Sequence, residues 1–285
     1  MIIDLLYSRV QEKGPICLGL DTRLEYLPKY LQDSQLSIEE KLYQFNKKII
    51  DETIDLVACY KLQIACYEAF GIEGLKAYSR SLKYIREAKA LVIADIKRGD
   101  ISSTAEMYAK GHFEGDFEAD FITVNPYMGI DAISPYFKYL KEGNKGIFVL
   151  VKTSNESSKD FQELMVSDCH LYEEVAAKVN EWGKEFIGKS GFSLVGGVVG
   201  LTYPEEFKRI EKIAPNTFFL IPGYGAQGGT GENVAELFKN NKCGVINSSR
   251  EIITAHKGRS EGEDFAIYAK EKVLKMKEDI GGWLR

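Results

Sequence analysis

Histidine is scarce in this chain, and its positions do not favour metal binding. The 285 residues contain 3 histidines, His112, His170 and His256. None of them stands at the C-terminal end of an apolar segment. A metal-dependent epimerase or aldolase would place histidine or clustered carboxylate ligands there. We therefore predict catalysis without a metal ion.

Cysteine is present but scattered. The 5 cysteines are Cys17, Cys59, Cys66, Cys169 and Cys243. Their odd number and lack of clustering exclude a disulfide-bonded secreted scaffold, because such a scaffold needs closely spaced pairs. We expect reduced thiols, mostly buried, in a cytoplasmic protein.

Long apolar runs and an excess of positive charge are missing as well. No run approaches the ~18 residues of a membrane span, and the N-terminal Met-Ile-Ile-Asp lacks the basic-then-apolar order of a signal peptide. The formal net charge of -5 argues against a broad nucleic-acid surface, although a local basic pocket remains possible. We expect neither membrane nor nucleic-acid partners, and a small-molecule ligand.

Short β-branched apolar segments alternate with longer amphipathic segments eight times. The predicted strands are 16–21, 57–63, 91–97, 121–125, 146–153, 195–200, 218–223 and 244–249. The predicted helices are 37–53, 72–87, 102–111, 131–140, 171–188, 204–213, 231–240 and 263–279. Eight such units in about 250 residues predict an α/β fold of the (β/α)8 TIM-barrel type, as a single domain over residues 1–285. A doubly wound sheet is the alternative, but Gly-Leu-Asp-Thr-Arg at 19–23 is no dinucleotide fingerprint.

Polar side chains collect at the C-terminal ends of the predicted strands, where barrel enzymes carry their active sites. These residues are Asp21, Lys61, Gln63, Asp95, Lys97, Asn125, Lys152, Thr153 and Ser154. A structural ion network in the barrel mouth is the alternative. Such networks seldom combine so many different groups beside an anion site, so we favour an active site.

The loops after the last two predicted strands indicate a phosphate site. Residues 222–229 read Pro-Gly-Tyr-Gly-Ala-Gln-Gly-Gly, and 247–250 read Asn-Ser-Ser-Arg. Glycine N–H groups can approach an anion, the helix near Gly231 offers a positive dipole end, and Arg250 supplies a bidentate fork. The alternative is a tight turn beside a surface ion pair. Residues 224–230 are also predicted to close over the ligand.

The segment from Asp95 to Asp100 places two carboxylates around one lysine where a buried strand gives way to a loop. Residues two apart on a strand point to the same face. We therefore expect Asp95 and Lys97 to project together, with Asp100 beyond them in a turn.

Residues 95–104, Asp-Ile-Lys-Arg-Gly-Asp-Ile-Ser-Ser-Thr, resemble the signature segment of the orotidine 5′-phosphate decarboxylase family in its longer bacterial type. The resemblance covers nearly the full length, and in family order it includes residues 19–21, 60–63, 151–155, 222–229 and 248–250. It implies removal of the C6 carboxylate of orotidine 5′-monophosphate, the last step of de novo pyrimidine nucleotide synthesis. The products would be UMP and carbon dioxide, and no metal or organic cofactor would take part.

The resemblance also implies residue roles. Lys97 would donate a proton to C6, and the other catalytic residues would be Asp95, Lys61 and Asp100. The substrate-binding residues would be Asp21, Ile101, Thr104, Ser154, Pro222, Gln227, Ser249 and Arg250. Asp100, Ile101 and Thr104 would reach the neighbouring subunit's site, so the expected partner is a second copy of this chain in a homodimer with shared active sites.

Two other interpretations stay open at this point. A Schiff-base aldolase could use Lys61, Lys97 or Lys152, but the interleaved aspartates favour the protonated, unreactive form of each lysine. A catalytically silent nucleotide sensor could keep Gln227 and Arg250. It would not need the aspartate and lysine of the third strand.

Overall fold

The eight predicted strands are confirmed as one closed barrel of parallel strands. The structure is a computed structural model that describes residues 1–201, 204–225, 228–238 and 243–283. The barrel strands are β1 (Ile16–Gly19), β2 (Cys59–Gln63), β3 (Val92–Arg98), β4 (Phe121–Val124), β5 (Gly146–Lys152), β8 (Val195–Val199), β9 (Phe219–Pro222) and β10 (Gly244–Ser248). They close in the order β1-β10-β9-β8-β5-β4-β3-β2. The TIM-barrel prediction is therefore correct.

Helices surround the barrel and bury one face each. They are α1 (Ile2–Lys13), α2 (Lys29–Gln32), α3 (Ile38–Thr53), α4 (Ala65–Glu68), α5 (Gly71–Glu87), α6 (Ser102–Phe113), α7 (Phe137–Leu140), α8 (Leu171–Trp182), α9 (Pro204–Ile213), α10 (Gly231–Phe238), α11 (Arg250–Ile253) and α12 (Phe265–Trp283). In α3, the Ser37 hydroxyl caps the first turn by accepting the Glu40 N–H. Leu42, Phe45 and Ile49 recur at helical spacing and are fully buried.

Two predicted helices differ from the observed ones. The segment predicted as a helix over 131–140 forms two 3₁₀ turns, Gly129–Ala132 and Ser134–Tyr136, before α7. Pro135 explains the break, because its ring lacks an N–H and disfavours helical backbone in the preceding residue.

The helix predicted over 171–188 ends at Trp182. Gly183 follows, and a Cβ there would lie 2.6 Å from the Ser193 hydroxyl, so the close packing needs glycine. Glycine also ends helices readily because its backbone is the most flexible.

The chain inserts a small hairpin between β5 and α8. Strands β6 (Met165–Val166) and β7 (Cys169–His170) pair antiparallel outside the barrel. Its anchor is Lys152 at the end of β5, whose Nζ lies 2.7 Å from the Glu163 carboxylate and 2.8 Å from the Ser158 hydroxyl. Lys152 is therefore buried under this insertion rather than presented in the barrel mouth, where the sequence pattern had placed it.

No helix in the described part of the chain is long and apolar enough to cross a membrane.

His112 makes the fold sensitive to acid. It is buried on α6, its Nδ1 has no hydrogen-bond partner among the described residues, and its ring stacks on Phe117. Burial, reinforced by the positive charge of Arg98, lowers the pKa of His112 to about 4. The folded state therefore favours the neutral ring, and this contribution to stability is present above pH 6.5 and lost as the pH falls towards 4.

We expect His112→Phe to remove that loss while keeping the ring stack. Between pH 7.5 and 4.5 the wild-type free energy of unfolding should fall by about 2 kcal/mol more than that of the variant. Urea unfolding at both pH values measures the difference. Equal decreases in the two proteins would contradict this role for His112.

Candidate active site

The C-terminal ends of β1, β2 and β3 bring four charged side chains together at one rim of the barrel. We call Asp21, Lys61, Asp95 and Lys97 the charge array. The Lys61 Nζ lies 3.0 Å from Asp21 Oδ1 and 3.2 Å from Asp95 Oδ2, and the Lys97 Nζ lies 2.6 Å from Asp95 Oδ1. The array thus alternates in sign from one residue to the next.

Burial differs along the array. The Lys61 and Asp95 side chains are only 5% and 9% exposed, whereas Lys97 is 44% exposed. Lys97 is thus the member that a ligand in the barrel mouth can most readily contact.

The buried pair, Lys61 and Asp95, stays ionised because each group shifts the pKa of the other in favour of its charged form. Burial alone would lower the pKa of Lys61, but the Asp21 and Asp95 carboxylates outweigh it and raise that pKa above its ordinary value. Burial would raise the pKa of Asp95, but the Lys61 and Lys97 ammonium groups lower it to about 2. A protonated Lys61 cannot attack a carbonyl, which counts against Schiff-base chemistry at this residue.

Asp95 and Lys97 do project together, as predicted, but a regular strand is not the whole reason. The register between β3 and β4 shifts between Ala94 and Arg98, and Lys97 has φ +46°. This left-handed conformation is uncommon outside glycine and costs roughly 1 kcal/mol. Strain of this kind persists where surrounding contacts hold it.

Two of those contacts come from Thr123 on β4, which sequence reasoning missed. The Lys97 N–H donates to Thr123 Oγ1 over 2.9 Å, and the Thr123 hydroxyl donates to Asp95 Oδ1 over 2.8 Å. Gln63 adds a bond from Nε2 to Asp95 Oδ2 over 3.0 Å. A threonine inside an apolar strand is a weak signal in the sequence. Its hydroxyl nevertheless supplies one of the four hydrogen bonds that the Asp95 carboxylate accepts, the others coming from Lys61, Gln63 and Lys97.

Asp100, Ile101 and Thr104 do not join the charge array within this chain. Asp100 Oδ1 accepts the Ile101 N–H, and Ile101 and Thr104 are exposed at the start of α6. Asp100 and Ile101 lie between β3 and α6, and Thr104 lies in the first turn of α6.

The other predicted binding residues line the same rim further round the barrel. Ser249 follows β10 and its hydroxyl lies 3.4 Å from the Asp21 N–H, while a Cβ on Gly19 would come within 2.7 Å of Ser249 Cβ. Ser154 packs against Gly200 at the end of β8. Pro222 ends β9, and Arg250 is exposed at the first residue of α11. Gln227 lies outside the described residues.

The first amide of the helix predicted to face the phosphate has a partner within the protein. The Gly231 N–H at the start of α10 donates to Asp279 Oδ2 over 2.8 Å, so this amide is already paired inside the protein. The carboxylate comes from α12, 48 residues later in the chain. Sequence spacing gives no indication of that contact.

Residues 14–265 match the sequence profile of the "Orotidine 5'-phosphate decarboxylase / HUMPS family". The chain belongs to this family.

Individual relatives match over nearly the whole length. The chain is 52% identical over 281 residues to the orotidine 5′-phosphate decarboxylase of Clostridium tetani, with 98% of each chain covered. It is 54% identical over 283 residues to that of Petrotoga mobilis, again with 98% of each covered. The resemblance to the longer bacterial decarboxylases is confirmed.

A solved structure agrees with the fold. The orotidine-monophosphate decarboxylase structure from Toxoplasma gondii superposes with a TM-score of 0.82 at 34% identity, over 99% of this chain and 97% of that one. The closed barrel is therefore the family's barrel, and the charge array lies at the rim where barrel enzymes carry their active sites.

Proposed function

We propose that the charge array carries out the decarboxylation of orotidine 5′-monophosphate to UMP and carbon dioxide, with Lys97 as the proton donor. The chain catalyses this reaction as a member of the family at about 50% identity to bacterial decarboxylases of similar length. The observation that carries the assignment of Lys97 is its position: it is the exposed end of a buried, alternating set of charges.

The chemistry of the step follows from the charges. The bond between C6 and the carboxylate breaks, its electron pair stays on C6, and carbon dioxide leaves without charge. The Lys97 ammonium stabilises the charge that develops at C6 and then gives its proton to that carbon. The resulting neutral amine recovers a proton from solvent.

Asp95 orients the Lys97 ammonium and repels the substrate carboxylate. Its four hydrogen bonds hold it ionised beside the Lys97 Nζ, so it fixes the ammonium in place. A substrate carboxylate at about 4 Å from Asp95 would be repelled by roughly 4 kcal/mol at an effective dielectric constant of 20. That repulsion disappears as neutral carbon dioxide forms.

The remaining rim residues suit a nucleotide. Asp21 and Lys61 would bind the ribose hydroxyls, and Ser154 would contact the pyrimidine edge. Arg250, Gln227, Pro222 and Ser249 would surround the phosphate. In the described part of the chain the Arg250 guanidinium forms no ion pair, and such a group readily takes a phosphate in a bidentate manner.

We also propose that the enzyme is a homodimer with shared active sites. Large apolar side chains are exposed beside Asp100 and Thr104, which is unusual for a monomer surface. They are Ile101, Met107, Tyr127, Met128 and Ile130. Tyr127 alone is 87% exposed. An apolar groove of about 890 Å³ runs from Tyr127 towards the hairpin and contains no member of the charge array, so a protein partner suits it better than the substrate.

A cytoplasmic location fits the same proposal. All five cysteines are free thiols in the structure, three of them buried. Reduced thiols are the usual state in the cytoplasm.

Activity should survive removal of metal ions. Purified protein dialysed against a chelator should convert orotidine 5′-monophosphate to UMP at its original rate, because the proposed step uses only side-chain charges. The change in ultraviolet absorbance follows the reaction, and re-addition of magnesium or zinc serves as the control.

Two results would contradict the proposal. One is no turnover at micromolar enzyme, and the other is activity that chelation abolishes and a divalent cation restores. Borohydride inactivation in the presence of a phosphosugar would favour a Schiff-base aldolase instead.

A further inference from the structure

The loop that would hold the substrate phosphate is closed at its base. We call residues 222–231 the phosphate loop. The Gly225 N–H donates to the Gly229 carbonyl over 2.9 Å, and the Gly229 N–H donates to the Gly223 carbonyl over 3.0 Å. We call residues 223–225 and 229–231, which approach each other at the base of the loop, its neck. A Cβ on Gly229 would lie 2.4 Å from Leu201 Cδ2, so the neck is closely packed. In the sequence, Gln227 falls between the two sides of this neck.

A single carboxylate from α12 accepts hydrogen bonds from both sides of the neck. Asp279 Oδ2 accepts the Tyr224 hydroxyl over 2.6 Å and the Gly231 N–H over 2.8 Å. Tyr224 precedes Gln227 in the loop, and Gly231 follows it. Hydrogen bonds to an ionised acceptor are roughly twice as strong as neutral ones.

A second contact joins the same helix to the same loop. Gly225 has φ +75°, and a Cβ on it would lie 2.4 Å from the Glu251 carboxyl carbon. Glu251 pairs with the Lys272 Nζ at 2.9 Å. Lys272 and Asp279 are seven residues apart on α12, so they share one face of that helix. This face of α12 contacts the loop directly through Asp279. It contacts the loop indirectly through Lys272, which pairs with Glu251 beside Gly225.

We propose that Asp279 is a positioning residue for phosphate recognition. It acts through Tyr224 and Gly231, whose hydrogen bonds to Asp279 fix the described parts of the loop that precede and follow Gln227 in the sequence. The proposal rests on the phosphate role given above to Gln227 and Arg250. Contacts to the phosphate, remote from C6, supply binding energy for the substrate.

Asp279→Ala should weaken phosphate recognition specifically. We expect KM for orotidine 5′-monophosphate to rise about tenfold while kcat changes by less than about twofold, because the charge array is untouched. The inhibition constant of UMP should rise by a similar factor. That of uridine, which lacks the phosphate, should not change.

Tyr224→Phe tests the same contact from the loop side and removes only one hydroxyl. It should raise the same constants by a smaller factor. Glu278→Ala is the matched control, since Glu278 is an exposed acid one residue from Asp279 for which the structure shows no ion pair with any described residue. Thermal unfolding confirms that each variant is folded.

The outcomes separate the inference from the function on which it rests. Unchanged UMP inhibition in both Asp279→Ala and Tyr224→Phe, or equal losses for UMP and uridine, would overturn the role of Asp279. If Asp279→Ala does not fold, Asp279→Asn and Tyr224→Phe decide the matter. If the wild-type protein itself does not prefer UMP over uridine, the phosphate site is misassigned.

Discussion

Lys97→Ala should reduce the turnover of orotidine 5′-monophosphate by at least about 10⁴-fold, because in the proposed mechanism one side chain supplies both the proton for C6 and the charge that stabilises the developing carbanion. General-acid catalysis is worth about 10²–10⁴-fold, and one electrostatic contact to developing charge about 10²–10³-fold. Binding of UMP should weaken far less, since the residues proposed to bind the phosphate and the ribose remain. Single-turnover kinetics and UMP inhibition measure the two effects separately.

Lys89→Ala is the matched control for that variant. Lys89 also has a left-handed backbone, with φ +63°, and it lies between α5 and β3, before the N-terminal end of β3, whereas Asp95 and Lys97 lie towards the C-terminal end of that strand. Its replacement removes the same charge and leaves the same backbone strain as Lys97→Ala. Lys89→Ala should keep wild-type activity, and Lys97→Ala with kcat within tenfold of wild type would exclude Lys97 as the proton donor.

Mixing two inactive variants should restore activity if the active sites are shared. In a heterodimer of Lys97→Ala and Asp100→Ala subunits, one site receives both substitutions. The other receives an intact Lys97 from one subunit and an intact Asp100 from its partner. With random exchange, half of the dimers are mixed, so an equal mixture should reach about a quarter of the wild-type specific activity.

The control for this experiment uses two residues of the same subunit's charge array. The structure places Asp95 and Lys97 in direct contact within one chain. A mixture of Asp95→Asn and Lys97→Ala should therefore regain nothing, because each site in a mixed dimer keeps one defect. Equal recovery in both mixtures, or none with Asp100→Ala after proven subunit exchange, would show that Asp100 does not serve the neighbouring site.

The barrel itself was predictable because its signal is local. Each strand is a short apolar run and each long helix repeats its apolar residues at helical spacing, so eight units could be counted along the chain. Predicted strand boundaries lie within two residues of the observed ones. The segment 131–140 shows the limit of this signal. Its apolar spacing predicts one continuous helix, whereas Pro135 interrupts the helix in the structure.

The candidate site was predictable in part. Barrel topology places the ends of β1, β2 and β3 at one rim, so Asp21, Lys61 and Asp95 had to lie near one another. The hydrogen bonds that tune them were not predictable. Thr123 contacts Asp95 across 28 residues of sequence, and no spacing rule links a residue inside one strand to the end of another.

By itself, the sequence determined that this chain forms an eight-stranded barrel with acids and lysines at one rim, because strand and helix periodicities act over short distances. Only the tertiary structure decided how those groups are paired. It turned Lys152 towards Glu163 beneath the hairpin, placed Lys97 in a left-handed bulge against Thr123, and bound the phosphate loop to Asp279. Each of these is a contact between separate elements, and its geometry exists only once the barrel has closed.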